Sequence, residues 1–224
     1  MTLPYRAYSI RKINDNLPKE RTMNNADFEA LARVLLGRVF IELEASGRHV
    51  HVTADQAKTL FGHGLTPERP LSQPGQYLAR ERLTVKGPKG EFHQVAVLGP
   101  ERKEAQVEVS LTDARTLGVT APIRPSGNVT GSPGCILVGP TGQVSIQQGV
   151  IAAQRHVHMT PEDAKAMGVS DKQMVKLQVY TDRPLVFEDV LVRISPDFAT
   201  FAHLDYDEAN ACGFRKGDLG RILK

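Results

Sequence analysis

The chain has 224 residues, 41% of them hydrophobic, enough to bury one generous core or two smaller ones. Its 28 basic and 25 acidic residues leave a formal charge of +3, too small and too dispersed for a nucleic-acid surface, although an anionic small ligand remains open. No run reaches the eighteen or so apolar residues of a membrane span, and the start "MTLPYRAYSIRK" lacks the apolar core of a signal peptide, so the expectation is an intracellular protein with no membrane partner.

In chain order, the first periodic segment is "NNADFEALARVLLGRVF", where Phe28, Leu31, Ala32, Leu35, Leu36 and Val39 recur at helical spacing behind a capping Asn or Asp. Residues 1–40 therefore read as a polar leader and an amphipathic helix, which packs on its own body or a second subunit, or else docks on another protein. From Ile41 the text turns to short β-type runs such as "HQVAVLG", "AQVEVSL", "GCILVG", "MVKLQVY" and "EDVLVRIS", separated by Gly, Pro and Asp. Long helical periods are missing between them, which argues against a doubly wound sheet and for small barrels or sandwiches. Cys135 and Cys212 form no metal or redox spacing and read as buried, inert thiols.

"GRHVHVTADQAK" from Gly47 returns as "QRHVHMTPEDAK" from Gln154, with seven of eleven positions identical from Arg48 and Arg155 onward. The Pro- and Gly-rich "RPSGNVTGSPG" (Arg124 to Gly134) lies between the copies. The fold expectation is therefore mainly β: two similar β-barrel domains from an internal duplication, residues 41–125 and 126–224, with short helices and with strand exchange between the halves left open. A finer repetition aligns "HVTADQAKTLFG", "EVSLTDARTLG", "HMTPEDAKAMG" and "HLDYDEANACG" on Ala57, Ala114, Ala164 and Ala209. Each piece predicts a strand end, a Thr-, Asp- or Glu-rich cap, a turn or two of helix and a closing Gly. Six residues before each alanine stands a potential metal ligand: His51, Glu108, His158 and His203.

A strand sends residues i and i+2 to the same face, so His49 with His51, and His156 with His158, can each grip one ion while Val50 and Val157 pack into a core. Glu108 and His203 sit at the equivalent corners and complete two sets of three ligands. Imidazole and carboxylate suit Zn²⁺, with Co²⁺, Fe²⁺ and Mn²⁺ as alternatives, and three protein ligands leave a position open for substrate. His63 and His93 follow no repeat and read as surface residues.

The stretches "SGRHVHV", "LSQPGQY", "VKGPKG", "VLGPERKEAQVEVSLTDARTLGV", "APIRPSGNVTGSPG", "GVIAAQRHVHMTPEDA", "VRISPDF" and "HLDYDEANACG" resemble the PduL-type phosphotransacylases, the phosphate propanoyltransferases, from about Ala45 to Asn210. The resemblance implies two β-barrel domains, two zinc ions per chain, and exchange of coenzyme A for phosphate on a short acyl group, so that acyl-CoA, phosphate and acyl phosphate are the partners. It implies His49, His51 and Glu108 as ligands of one zinc, and His156, His158 and His203 as ligands of the other. It further implies Arg102 as the phosphate-binding arginine, and Ala45, Ser46, Gly47, Lys89 and Asn210 as coenzyme A contacts. One departure is Ala96, where the family usually carries an arginine. Family members often work in bacterial microcompartments, on propanediol degradation, entering through a short amphipathic helix; the expectation here is a cytoplasmic enzyme, with the microcompartment lumen, shell or lumen partners, and a homo-oligomer as open alternatives. A dinuclear zinc thioesterase or hydrolase and a non-catalytic metal-stabilised β module are the competing functional readings.

Overall fold

A computed structural model describes Gly37 and residues 39–223. The amphipathic helix expected over residues 24–40 lies, apart from Gly37, Val39 and Phe40, outside the described residues. No helix of the described residues is long and apolar enough to cross a membrane.

The architecture is mainly β and consists of two sheets. One is a closed barrel of β1 (Ile41–Ser46), β14 (Phe201–Asp205), β11 (His156–Met159), β13 (Leu185–Ile194), β12 (Met174–Tyr180) and β15 (Leu219–Leu223), in that order around the wall. The other is a curled open sheet running β7 (Ile123–Arg124), β10 (Val150–Ala153), β6 (Gln106–Glu108), β2 (His49–His51), β5 (Glu91–Gly99), β4 (Tyr77–Lys86), β8 (Cys135–Val138) and β9 (Gln143–Ile146), with β3 (Pro67–Pro70) paired to β4. The strand paths cross the middle of the sequence. β1 pairs with β14 and β15 to close the barrel, while β8, β9 and β10 complete the sheet built on the earlier strands.

Period-2 alternation fixes the faces. Along β12, Val175, Leu177 and Val179 point into the barrel core with Ile41, Leu43, Val190 and Val192, while Met174 and Tyr180 are exposed. The second core gathers Val50, Val52, Val85, Val97, Val107 and Leu137 beneath the curled sheet. β2 and β11 are buried at every position, because their valines fill these cores and their histidines face the opposite way.

The four repeated corners fold alike. Helices α1 (Ala54–Phe61), α2 (Leu111–Leu117), α3 (Pro161–Met167) and α4 (Tyr206–Cys212) start at Thr53, Ser110, Thr160 and Asp205, whose side chains each accept the backbone N–H three residues on. They stop at Gly62, Gly118, Gly168 and Gly213, all left-handed with φ between 64° and 81°. Ala57, Ala114, Ala164 and Ala209 are buried under each turn, packed between helix and strand end. These caps stop each strand abruptly and leave its last polar side chains beside the cleft.

Candidate active site

Strands β2 and β6 of the sheet and β11 and β14 of the barrel present their polar faces to one cavity of about 540 Å³. In the antiparallel pair β2/β6, His49 lies opposite Glu108 and His51 opposite Gln106. In β11/β14, His156 lies opposite His203 at the matching register position. The duplication has thus placed the third potential ligand by the same strand pairing twice, once as a carboxylate and once as an imidazole. In each trio, His49, His51 and Glu108 or His156, His158 and His203, one ligand atom per residue lies within 4.8 Å of the others.

Hydrogen bonds set which atom each ring offers. His49 Nδ1 donates to the Gly47 carbonyl at 2.8 Å, His156 Nδ1 to Gln154 at 2.8 Å and His51 Nδ1 to Leu98 at 3.1 Å. A carbonyl only accepts, so each Nδ1 carries the proton and each Nε2 lone pair is left bare. His203 Nδ1 faces the Glu44 carboxylate at 3.3 Å, which leaves its Nε2 turned to His158 Nδ1 at 3.1 Å. Two ring nitrogens so close need a proton or a cation between them.

Burial dominates the titration of the rings. It pushes His51 down to about 2, helped by the neighbouring His49 and Arg102, and His158 down to about 3, helped by His156 and Arg193. His156 and His203 are lowered by the same cause, so these four rings are neutral at pH 7, the form that ligates metals. For His49 burial also works downward, but the Glu108 carboxylate overrides it and the net shift is upward. Burial works to raise Glu108, yet His49, His51 and the Ser126 hydroxyl hold it well below the usual carboxylate range. The donor sets, His₂Glu and His₃, fit a divalent ion of the zinc type, with the Nδ1 protons of His49, His51 and His156 anchored on backbone carbonyls.

Two arginines make the cavity electropositive. Arg102 follows β5; its backbone N–H donates to Val52 and its Nη1 reaches the Ser126 hydroxyl at 3.4 Å. Arg193, opposite His158 across β11/β13, lies near the Phe198 ring. Both line the cavity and are half-buried, and neither is ion-paired to a carboxylate among the described residues. Burial lowers both from the ordinary guanidinium range, but an arginine keeps its charge regardless. With the exposed Arg69, which also lines the cavity without an ion pair among the described residues, these two half-buried cations favour an anion there.

Ala45, Ser46 and Gly47, at the end of β1, line the same cavity. The Tyr206 ring packs over Gly47, where a Cβ would come within 2.8 Å of its outer end and would have to displace it. Ala96 also lines the cavity, with Arg82 as its register partner across β4/β5. Lys89 and Asn210 stand outside the lining: Lys89 is exposed in the β4–β5 turn, its stem against Gly118, and Asn210 is exposed on α4. Spacing alone passed over Arg193, Gln106, Ser126, Gln73 and Glu44. For Gln106 a signal existed, because "QVE" aligns with "HVH" and puts Gln106 on the ligand face of β6. Arg193 carried none, being one arginine at the end of an ordinary β run.

Fold and cleft together define a class: a mainly β protein in which two candidate metal sites share one cavity with two half-buried arginines, Arg102 and Arg193, that have no carboxylate partner among the described residues. A family model described as phosphate propanoyltransferase matches residues 42–215, and the chain belongs to that family of phosphate acyltransferases. It is 52% identical over 198 residues to the phosphate propanoyltransferase of Listeria monocytogenes, covering 88% of this chain and 93% of that protein. The Enterococcus faecalis phosphate propanoyltransferase is 56% identical over 185 residues, 82% and 88% of the two chains. That of Salmonella typhimurium is 48% identical over 175 residues, 77% and 83%.

Proposed function

We propose that this chain transfers a propanoyl or acetyl group between coenzyme A and inorganic phosphate, with one zinc ion held by His49, His51 and Glu108 and another by His156, His158 and His203. The observation that carries the reading is the convergence of both ligand trios with Arg102 and Arg193 on one cavity. Family membership supports the acyl transfer itself.

Bound ions would supply Lewis acidity toward phosphate and thioester oxygens and a soft partner for the leaving thiolate. The chain's own groups do the rest. Arg102 and Arg193 bind phosphate and orient it, converting a bimolecular encounter into a positioned one. The wall formed by Ala45, Ser46 and Gly47 receives the pantetheine arm, so that the thioester carbonyl enters beside the arginines. A phosphate oxygen attacks the carbonyl carbon, the C–S bond breaks, and coenzyme A leaves as thiolate, taking its proton from the medium. The arginines stabilise negative charge as it shifts onto the carbonyl oxygen. No cysteine takes part: Cys135 and Cys212 are buried in the two cores, away from the cavity lining.

The test is metal analysis of the purified chain together with an assay of thiol release from propanoyl-CoA with and without phosphate. The reading requires about two bound ions per chain, phosphate-dependent release, and trapping of the product as acyl hydroxamate. Thiol release that ignores phosphate would make the protein a thioesterase instead. Bound metal without any turnover would leave a metal-stabilised β module.

A further inference from the structure

Glu108 has two carboxylate oxygens, and its surroundings use up one of them. Oε1 accepts the Ser126 hydroxyl at 2.7 Å and also the Gln106 side-chain amide, whereas Oε2 faces His49 Nε2 at 3.6 Å. The direction of these bonds is fixed from outside. The backbone N–H of Gly127 donates to Gln106 Oε1 at 2.7 Å, so the NH₂ end of that amide must be the one that meets Glu108 and, at 2.9 Å, Ser126 Oγ. Ser126 Oγ then faces two groups that can only donate, the Gln106 amide and Arg102 Nη1 at 3.4 Å, so its own proton is left for Glu108. Gln106 is only 2% exposed, so its side chain was not placed there for solubility.

Strand geometry explains how the parts meet. Gln106 and Glu108 are i and i+2 of β6 and share the face opposite His51 and His49. The turn at Pro125–Asn128, closed by the Asn128 N–H to Pro125 carbonyl bond and permitted by Gly127 at φ +96°, brings Ser126 over that face.

We propose that Gln106 and Ser126 are positioning residues that make Glu108 present Oε2 alone to the metal ion, and that the Ser126 hydroxyl ties this orientation to Arg102. The inference rests on the reading that His49, His51 and Glu108 hold a metal. A free carboxylate can bind an ion through one oxygen or both, and the second mode would take up the coordination position a substrate oxygen needs. With Oε1 committed to two donors, the second mode costs one buried hydrogen bond, from Gln106, and one partly buried, from Ser126. The same hydroxyl touches Arg102, so the carboxylate and the phosphate-binding guanidinium are set by one group. The other trio lacks this device: there His203 is backed by Glu44, and Gln73 donates to the Ala199 carbonyl nearby.

The test uses the full chain and the variants Ser126→Ala, Ser126→Thr and Gln106→Leu, each stripped of metal and titrated with Zn²⁺ against a chelator and with Co²⁺ followed by its visible absorption. Ser126→Ala and Gln106→Leu are expected to weaken one of the two sites by about 10- to 100-fold while the other keeps its parent affinity. The Co²⁺ band of the weakened site should change in intensity as Glu108 takes up its second oxygen. In Ser126→Ala the KM for phosphate should rise while that for propanoyl-CoA holds, and Ser126→Thr, which keeps the hydroxyl, should restore both readouts. Ser126→Ala removes a single atom and decides the matter if Gln106→Leu does not fold. Parent affinity and an unchanged Co²⁺ band in Ser126→Ala overturn the inference while the metal reading stands. His49→Ala tests that reading separately: if it removes no ion, the first site is not a metal site and the inference falls with it.

Discussion

Replacing Arg102 by alanine is the sharpest probe of how the cleft holds phosphate. The substitution removes the guanidinium without touching the bond that anchors the backbone there, because the Arg102 N–H to Val52 carbonyl contact of 2.9 Å survives in any residue but proline. The charge has no carboxylate partner among the described residues, so deleting it orphans no buried anion, and fold and metal content should persist. What is lost is a charged hydrogen bond to phosphate worth about 1.5–3 kcal/mol, which corresponds to a fall of about 10- to 150-fold in kcat/KM for phosphate. Arg193 lines the same cavity, so the double variant adds information. If both arginines grip one phosphate, the combined loss should differ from the sum of the single losses by about 0.5 kcal/mol or more. Initial rates at varied phosphate and saturating propanoyl-CoA give all the constants. A kcat/KM for phosphate within twofold of the parent in Arg102→Ala would reduce this residue to a charge at the cleft wall and refute the assignment.

The other expectations follow from single contacts. His51→Ala and His158→Ala should each lower bound zinc by about one ion per chain, measured by elemental analysis, because each trio has only three ligands; full retention in either would contradict the ligand sets. Metal removal by a chelator should abolish acyl transfer and lower Tm, since ions that bind only the folded state stabilise it; an unchanged Tm together with unchanged turnover would exclude resident metal. Cys135, with its thiol pushed up to about 12 by burial, and the fully buried Cys212 should resist an aromatic disulfide reagent at pH 8 until the protein is unfolded, and rapid labelling of the native chain would show the cores to be looser than described. Gly213→Ala places a side chain at φ +65° where the nearest neighbour, Arg183, is 3.4 Å away; backbone strain alone should cost about 1 kcal/mol, a drop of about 2–4 °C in Tm, and no drop would mean the α4 stop is not held in that conformation.

Much of the site could be read before any coordinates because its ligands obey short-range rules. His-x-His needs only the two-residue period of a strand, and the four caps and closing glycines are local chemistry repeated at fixed offsets from one alanine. What escaped is long-range. Nothing near "IELEAS" says that β1 will lie beside β14 some 160 residues away, nor that "CILVG" will join the sheet of the earlier half, because strand partners are chosen by packing across the whole body. Arg193 and Ser126 escaped for a related reason: polar residues in strands and turns look like solvated surface until the facing strand is in place. Lys89 and Asn210 show the converse. They were named by family likeness alone, no spacing bound them to the histidines, and the structure sets both outside the cavity lining.

The duplication has a chemical consequence that its symmetry conceals. At the same pairing position β2/β6 supplies Glu108 and β11/β14 supplies His203, so the two proposed sites share geometry but differ by one unit of ligand charge. An ion held by three neutral imidazoles would carry no directly bound negative ligand, Glu44 acting only through His203, whereas an ion beside Glu108 would have half of its charge offset by a bound carboxylate. If both sites hold metal, the stronger Lewis acid would be the one on the barrel side, beside Arg193 and Phe198, and the milder one that on the sheet side, where Ser126 connects Glu108 to Arg102. Exchanging the ligands tests whether the difference matters. His203→Glu should equalise the charges while keeping a third donor, and because it adds a carboxylate facing Glu44 and lowers the positive potential around Arg193, it should weaken phosphate binding more than it weakens metal binding. Equal losses in both would mean that only the number of ligands, and not their charge, had been selected at that corner.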